Sequence, residues 1–152
     1  MEKYSGQGSC AIGTAKAILN LFRAAATPTS RAKIYDLVVG SVATPADAAT
    51  KFSINRTTAV GTEAAGFTPV NLDPDGPASA SDFGVGAFSA EPTKTANAEL
   101  LVFSMNQRAT FRWVAAPGSE LVLPATQNYG ACLQSVSSTV TTAHEATVFF
   151  EE

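Results

Sequence analysis

Between residues 99 and 150 the chain reads as a close succession of β-strands, at 100–105, 109–114, 120–123, 130–136 and 146–150, with turn chemistry in most of the gaps. That succession predicts an all-β class and leaves little room there for the loops on which an active site is usually built. The stretch Ala109-Thr-Phe-Arg-Trp-Val114 alternates small or apolar residues with polar ones, the period-2 pattern of a strand with one buried face. Ala115-Ala-Pro-Gly-Ser119 then breaks it, because Pro presets φ for a turn and Gly accepts positive φ.

The chain has 152 residues, which predicts one domain with a core large enough to stand without staples. Charged residues make up 15% of it, well below the typical quarter. Ala, Thr and Ser fill the deficit, and the resulting neutral surface suits broad contact with another protein. The formal net charge of −3 and the absence of a Lys/Arg cluster argue against a nucleic-acid partner. The nearest approach to such a cluster is Arg108 and Arg112 with Phe111 and Trp113 between them. On a strand the two arginines share one face with Thr110 and the aromatics take the other, so no stacking platform forms.

No membrane partner is expected. The polar start, Met1-Glu-Lys-Tyr-Ser-Gly-Gln-Gly-Ser9, does not resemble a signal peptide, and 11–21 is too short and interrupted to span a bilayer. Without a secretion signal, Cys10 and Cys132 read as free thiols, the first in a mobile arm and the second inside an apolar strand; a disulfide between them is the alternative.

Residues 1–13 are Gly- and Ser-rich and predict a flexible N-terminal arm, with 14–152 as a single domain. Residues 14–23 are ambiguous. Ile18, Leu19 and Phe22 have helical spacing behind a candidate Thr14 cap, while Ala17, Leu19 and Leu21 alternate as in a strand. A Thr27-Pro-Thr-Ser30 connection leads to a strand at 32–40, and a hairpin of 14–23 with it is economical. A third strand, 51–58, sets Phe52 and Ile54 on one face against Ser53, Asn55 and Thr57. Residues 59–97 are punctuated by Gly and Pro and are long for a connection; they have room for short strands at 68–72 and 86–89.

Candidate chemistry is sparse. His144 is the only histidine, and no Gly-x-Ser-x-Gly elbow accompanies it, so no nucleophile–base pair is expected. One His and two distant Cys do not make a zinc site. Asp73 and Asp75, in Leu72-Asp-Pro-Asp-Gly76, start like a calcium loop but lack its later ligands, and they form a turn more readily. Gly84-Val-Gly-Ala-Phe-Ser89 lacks the third glycine and following helix of a dinucleotide loop. Asn55-Arg-Thr57 is a glycosylation sequon without a secretory route. Arg56, mid-strand, calls for a carboxylate among Glu63, Glu99 and Glu120. Glu151 and Glu152, after Phe149-Phe150, are read as keeping an exposed aromatic strand end soluble. Tyr35, Phe103, Trp113 and Phe149 are the large residues expected in the core, with Tyr35 alternatively at a subunit interface.

The motif order Arg31-Ala-Lys-Ile-Tyr-Asp-Leu-Val-Val-Gly-Ser41, Asn55-Arg-Thr-Thr58 with Gly61-Thr62, Pro69-Val-Asn-Leu-Asp73, Ala109-Thr-Phe-Arg-Trp113, Pro117-Gly-Ser-Glu-Leu121, Pro124-Ala-Thr126 and Ala146-Thr-Val-Phe-Phe-Glu151 resembles small virion proteins of tailed bacteriophages, the capsid decoration (cement) proteins. The resemblance implies a jelly-roll-like antiparallel β-sandwich with 14–23 as one of its strands, and a homotrimer on the outer surface of the virion after synthesis in the host cytoplasm. The implied partner is the major capsid protein. The resemblance carries over no catalytic residue, metal or cofactor.

Two other readings remain. A carbohydrate- or receptor-binding β-sandwich, as in a phage fibre, would use Tyr129 beside Gln127 and Asn128. A glycosidase would require Asp73, Asp75 and Glu63 to meet in one pocket.

Overall fold

In the computed structural model, which describes residues 1–10, 16–136, 140 and 142–152, twelve strands follow one another. They are β1 Lys3–Cys10, β2 Ala17–Arg23, β3 Lys33–Ser41, β4 Ala49–Ala59, β5 Ala65–Phe67, β6 Val70–Asn71, β7 Ser81–Val85, β8 Thr93–Asn106, β9 Phe111–Val114, β10 Leu121–Val122, β11 Gly130–Ser135 and β12 His144–Glu151. One antiparallel sheet, here sheet A, has the order β10-β3-β12-β1-β6, with β9 also on β3; sheet B runs β5-β7-β2-β11-β4-β8.

Without β5, β6, β7 and β10, the sheets reduce to β1-β12-β3-β9 and β2-β11-β4-β8, the order of an eight-stranded jelly roll. Physically it is one long antiparallel ribbon. The first four of these eight strands pair with the last four in reverse, β1 with β12, β2 with β11, β3 with β9 and β4 with β8. Rolling the ribbon puts its apolar side inside, and the antiparallel β-sandwich expected from the sequence is present in this form.

The N-terminal arm is a correction. Residues 3–10 form an inner strand of sheet A, paired with β12 from Lys3↔Glu151 to Cys10↔His144 and with β6 at Tyr4 and Ser5. Its inward side chain Tyr4 stacks on Phe150 with ring centroids 5.4 Å apart. The glycines that suggest a loose arm mark close approach of the two sheets: a Cβ on Gly6 would lie 1.9 Å from the Phe83 ring. Residues 11–13 of the expected arm lie outside the described residues.

The 14–23 hairpin with β3 is also corrected. Over its described part this segment is a strand, β2, but it sits in sheet B while β3 sits in sheet A, so residues 24–32 cross between the sheets. A register shift in the β2–β11 ladder turns both Ile18 and Leu19 into the core. That bulge accounts for Ile18 with Leu19, whereas Phe22, the third residue of the helical-looking spacing, is half-buried and outside the core cluster.

Residues 60–92 are the tip of the ribbon. Their strands widen both sheets, β6 against β1 and β7 against β2, with β5 on β7. The strand expected at 86–89 is absent, since β7 ends at Val85 and Gly86 turns the chain with φ of +83°. In the same way Gly118, at φ +81°, closes the turn expected after β9.

The core is built on Tyr4, Phe52, Phe83, Phe103 and Phe150 with aliphatic residues from both sheets. Phe103 is there as expected and stacks on Phe111 at 3.9 Å, while Trp113 is half-buried against the cluster. Phe149 and Tyr35 are not core residues. They meet each other outside the core cluster at 6.5 Å, and of the neighbours Phe149 and Phe150 it is Phe150 that is fully buried. A register shift in the β3–β12 ladder, between Phe149 and Phe150, leaves Tyr35 without an opposite residue and defeats simple alternation.

At one end of the sandwich two arginines cross between the sheets. Arg23 of β2 pairs with Glu152, next to the end of β12, with side chains 0% and 5% exposed. Glu152 also accepts from Ser79 Oγ at 2.8 Å, the Ala80 amide at 2.6 Å and Ser81 Oγ at 3.0 Å. Glu152 is therefore an internal anchor, where the sequence suggested a solubilising cap. Arg56 of β4 donates to the Val122 carbonyl of β10 at 2.9 Å; its partner is this carbonyl in place of the carboxylate expected.

Candidate interaction surface

The sequence candidates for chemistry are scattered. His144, the first residue of β12, is buried edge-on against Phe52 at 5.0 Å; burial lowers its pKa, partly offset by a hydrogen bond with the Thr142 backbone. Cys10 and Cys132 are both buried and not disulfide-bonded, and burial raises their pKa values to about 11 and about 12. Asp73 and Asp75 form a turn, with the Asp75 amide donating to Asp73 Oδ1 at 3.1 Å and the Gly76 amide to the Asp73 carbonyl at 3.0 Å. That turn follows β6 in sheet A, whereas Glu63 lies beside Gly66 and Gly84 in sheet B. Among the described residues, no three His, Cys, Asp or Glu side chains cluster as a metal ion would need. Asn55 of the sequon is buried and donates to Ser53 Oγ at 2.7 Å. Gln127, Asn128 and Tyr129 are exposed on one turn before β11.

The two outer faces of the sandwich differ. That of sheet B is covered over β2, β11 and the 53–57 part of β4, while β8 at its edge keeps Val102 and Ser104 exposed. Phe88 packs with Ala17 and Cys132 in a second small cluster, above a buried polar row in which Thr57 Oγ1 donates to Asn20 Oδ1 at 3.1 Å and Gln134 Nε2 to Ser53 Oγ at 3.1 Å. The covering segments are tied down: the Thr62 amide donates to the Ala90 carbonyl at 2.8 Å, and the Ala17 amide to Glu91 Oε2 at 2.9 Å. This explains why Ser53, Asn55 and Thr57, opposite Phe52 and Ile54 as expected, are nevertheless buried.

The outer face of sheet A has no such cover among the described residues. Alternation along β12 buries His144, Ala146, Val148 and Phe150 and turns Glu145, Thr147, Phe149 and Glu151 outward. The ladders extend these residues into rows across the sheet: Val70–Ser5–Phe149–Asp36–Val114, then Gln7–Thr147–Val38–Arg112, then Ser9–Glu145–Gly40. Arg112 grips Asp36 with two hydrogen bonds of 3.1 and 2.6 Å, Lys33 meets Glu151 at 3.3 Å, and the Lys3 ammonium sits 5.7 Å from the Tyr35 ring centroid. On β9 Arg112 lies outside and Phe111 and Trp113 turn toward the core, as expected; Arg108 does not share that face, because it lies in the turn after β8, where its Nε donates to the Pro45 carbonyl at 3.3 Å.

Two open depressions share Glu145, Ala146 and Thr147 on this face. One, about 490 Å³, runs past Gln7, Gly8 and Ser9 to Phe67 and Val85; the other, about 200 Å³, lies over Val38, Gly40, Ser41 and Thr110. No protein-family model, curated protein or solved structure matches this chain. Function has to be read from this surface itself. Four strands abreast at their usual spacing give a face on the order of 500 Å², comparable with the roughly 800 Å² that one partner contributes to a standard protein interface. The face combines exposed Val70 and Val114, half-buried aromatics and charges that largely pair with one another. The outward residues missed by sequence reasoning, Val38, Thr147 and Gly40, carried no motif signal; only their register beside Phe149 and Arg112 makes them a surface.

Proposed function

We propose that the chain is a non-catalytic structural virion protein that decorates the outside of a tailed-phage capsid, binding the major capsid protein as a homotrimer. One observation carries the reading. Of the two outer faces of the sandwich, one is covered over most of its strands by the chain's own 60–92 segment, and the other is broad, internally charge-balanced and without such a cover among the described residues. A chain that covers most of one face and leaves the other open has a side for a partner. The jelly roll supports the proposal by analogy, since viral capsid and lectin domains both use it, and so does the motif order quoted above. Cementing a shell calls for many weak contacts summed by multivalency, which a flat neutral face provides without a deep pocket.

Two measurements test it. Purified protein is expected to have the mass of a trimer by light scattering and to bind phage heads that lack it. Thr147→Arg, at an outward position on the bare face, is expected to weaken head binding at least tenfold while the melting temperature stays within a few degrees. A monomer that ignores heads would overturn the reading.

A further inference from the structure

The donors that surround the Glu152 carboxylate are held in place independently of it. Arg23 and Ser81 are directly opposed in the β2–β7 ladder, and Arg23 Nη1 donates to Ser81 Oγ at 2.6 Å. Arg23 Nη2 donates to Ser30 Oγ at 3.2 Å. The Ser81 amide donates to Ser79 Oγ at 2.9 Å, and the Ala24 and Ala25 amides both donate to the Ala80 carbonyl at 3.1 Å. None of these bonds involves β12. Together they fix a guanidinium, two hydroxyls and the Ala80 amide in sheet B and the segments beside it. Supporting hydrogen bonds of this kind are what hold a binding site in shape when its ligand is absent.

Glu152 comes from the other sheet. Its amide donates to the Glu2 carbonyl at 3.1 Å and its carbonyl accepts from the Glu2 amide at 3.0 Å, so only the side chain crosses. Each carboxylate oxygen then meets two donors, Ser79 Oγ and the Ala80 amide on Oε1, Ser81 Oγ and Arg23 Nη1 on Oε2. Two donors per oxygen, one of them cationic, is a pattern that a planar carboxylate accepts in full. The cradle even has a donor to spare. Arg23 Nε, on a side chain that is 0% exposed, has no acceptor among the described residues. Such an orphan is rare in a folded interior, and beside a buried cation it marks room for an anion.

We infer that Arg23, Ser79, Ser81 and the Ala80 amide form a carboxylate-binding site whose tethered ligand is Glu152, and that the site takes a free monocarboxylate when this side chain is withdrawn. A tethered ligand competes at an effective concentration of about millimolar or more, so the intact chain blocks its own site. Ser30, Ser79 and Ala80 are half-buried, which leaves the cradle within reach of solvent once the side chain is gone. The site lies between the sheets, not on the outer face proposed for docking, and is independent of that reading. It also differs from an ion pair that merely needs neutralising, which would answer to any anion.

Acetate is the probe. In Glu152→Ala, acetate at about ten times its dissociation constant is expected to raise the melting temperature by about 3–6 °C, and the rise should saturate. Chloride at the same ionic strength, and acetamide, which has the shape without the charge, should leave the transition where it is. Acetate should also have no effect on the wild type, whose site is filled, or on Arg23→Met with Glu152→Ala, which lacks the cation. No rise in Glu152→Ala, or a rise of equal size in any of these controls, would overturn the inference. If Glu152→Ala does not fold alone, the readout is folding driven by acetate, followed by circular dichroism; a chain still unfolded at about 1 M acetate counts equally against it.

Discussion

Glu152→Ala is expected to cost about 3–5 kcal/mol of folding stability, because it leaves Arg23 charged, buried and unpaired between the sheets. That is a large share of the roughly 5–15 kcal/mol by which a domain is stable. The measurement is the urea midpoint, with the m-value checked so that the change is one of stability and not of mechanism. The double variant Arg23→Met with Glu152→Leu is expected to recover most of the loss, since replacing a buried ion pair by packed apolar groups is often neutral.

The same pair sets the acid limit. Burial alone would raise the pKa of Glu152, but hydrogen bonds from Ser79, Ala80 and Arg23, with the Arg23 charge, hold it below the ordinary carboxylate value. A depressed folded pKa means that the unfolded chain binds the proton more readily. The contribution is therefore complete above an unfolded pKa of about 4.3 and is lost as pH falls through the folded value. His144 acts in the same direction at higher pH, because burial lowers its pKa. Its neutral form costs nothing above an unfolded pKa of about 6.5, and below that the unfolded state gains protons first. Stability is expected to be level near pH 7 and to fall in two stages on acidification. His144→Leu should remove the upper stage, and the Arg23–Glu152 double variant the lower. An acid profile unchanged by either variant would contradict these assignments.

Phe83→Ala is the second large effect, at about 3–5 kcal/mol for a fully buried aromatic in a tight site. Phe83 belongs to the 60–92 segment, yet its ring packs against Phe150 at 6.0 Å and Phe67 at 6.3 Å, and directly over Gly6. Were the segment a lid laid over a finished sandwich, the substitution would cost less than about 1 kcal/mol, as surface changes do. A thermal melt read alongside the urea midpoint distinguishes the two cases.

Much of the fold was legible in residue order. The strands at 109–114, 130–136 and 146–150 and the turn at Pro117-Gly118 follow from alternation and turn chemistry and appear within a few residues of their expected bounds, whereas the strand expected at 100–105 is only the last part of β8, which begins at Thr93. The failures share a cause. Ile18 with Leu19, and Tyr35 near Phe149, lie at register shifts, where one extra residue inverts the side to which its neighbours point. Alternation counted along one strand cannot register an insertion that is defined only against its partner. Residues 3–10 failed for another reason. Gly6 and Gly8 read as looseness in sequence, but they are small because the other sheet is too close for a Cβ. The bare face of sheet A had no sequence signature, since it exists only once β1, β3, β9 and β12 stand side by side. Arg23 offered one overlooked sign: it continues the parity of Leu19 and Leu21, which put a charge on the buried side.

The pairing of Lys3 with Glu151 also has a consequence in time. A ribbon that joins its first strand to its last is dominated by contacts distant in sequence, and folds of that kind need milliseconds to seconds. During synthesis at about 5–20 residues per second, β1 waits several seconds for β12 to exist, and β2 waits for β11. Throughout that interval Ile18, Leu19, Phe52 and Ile54 are exposed on strands with few charges to keep them apart. The low charge density that suits the finished surface leaves the nascent chain at its most aggregation-prone until the final strand closes the sheet.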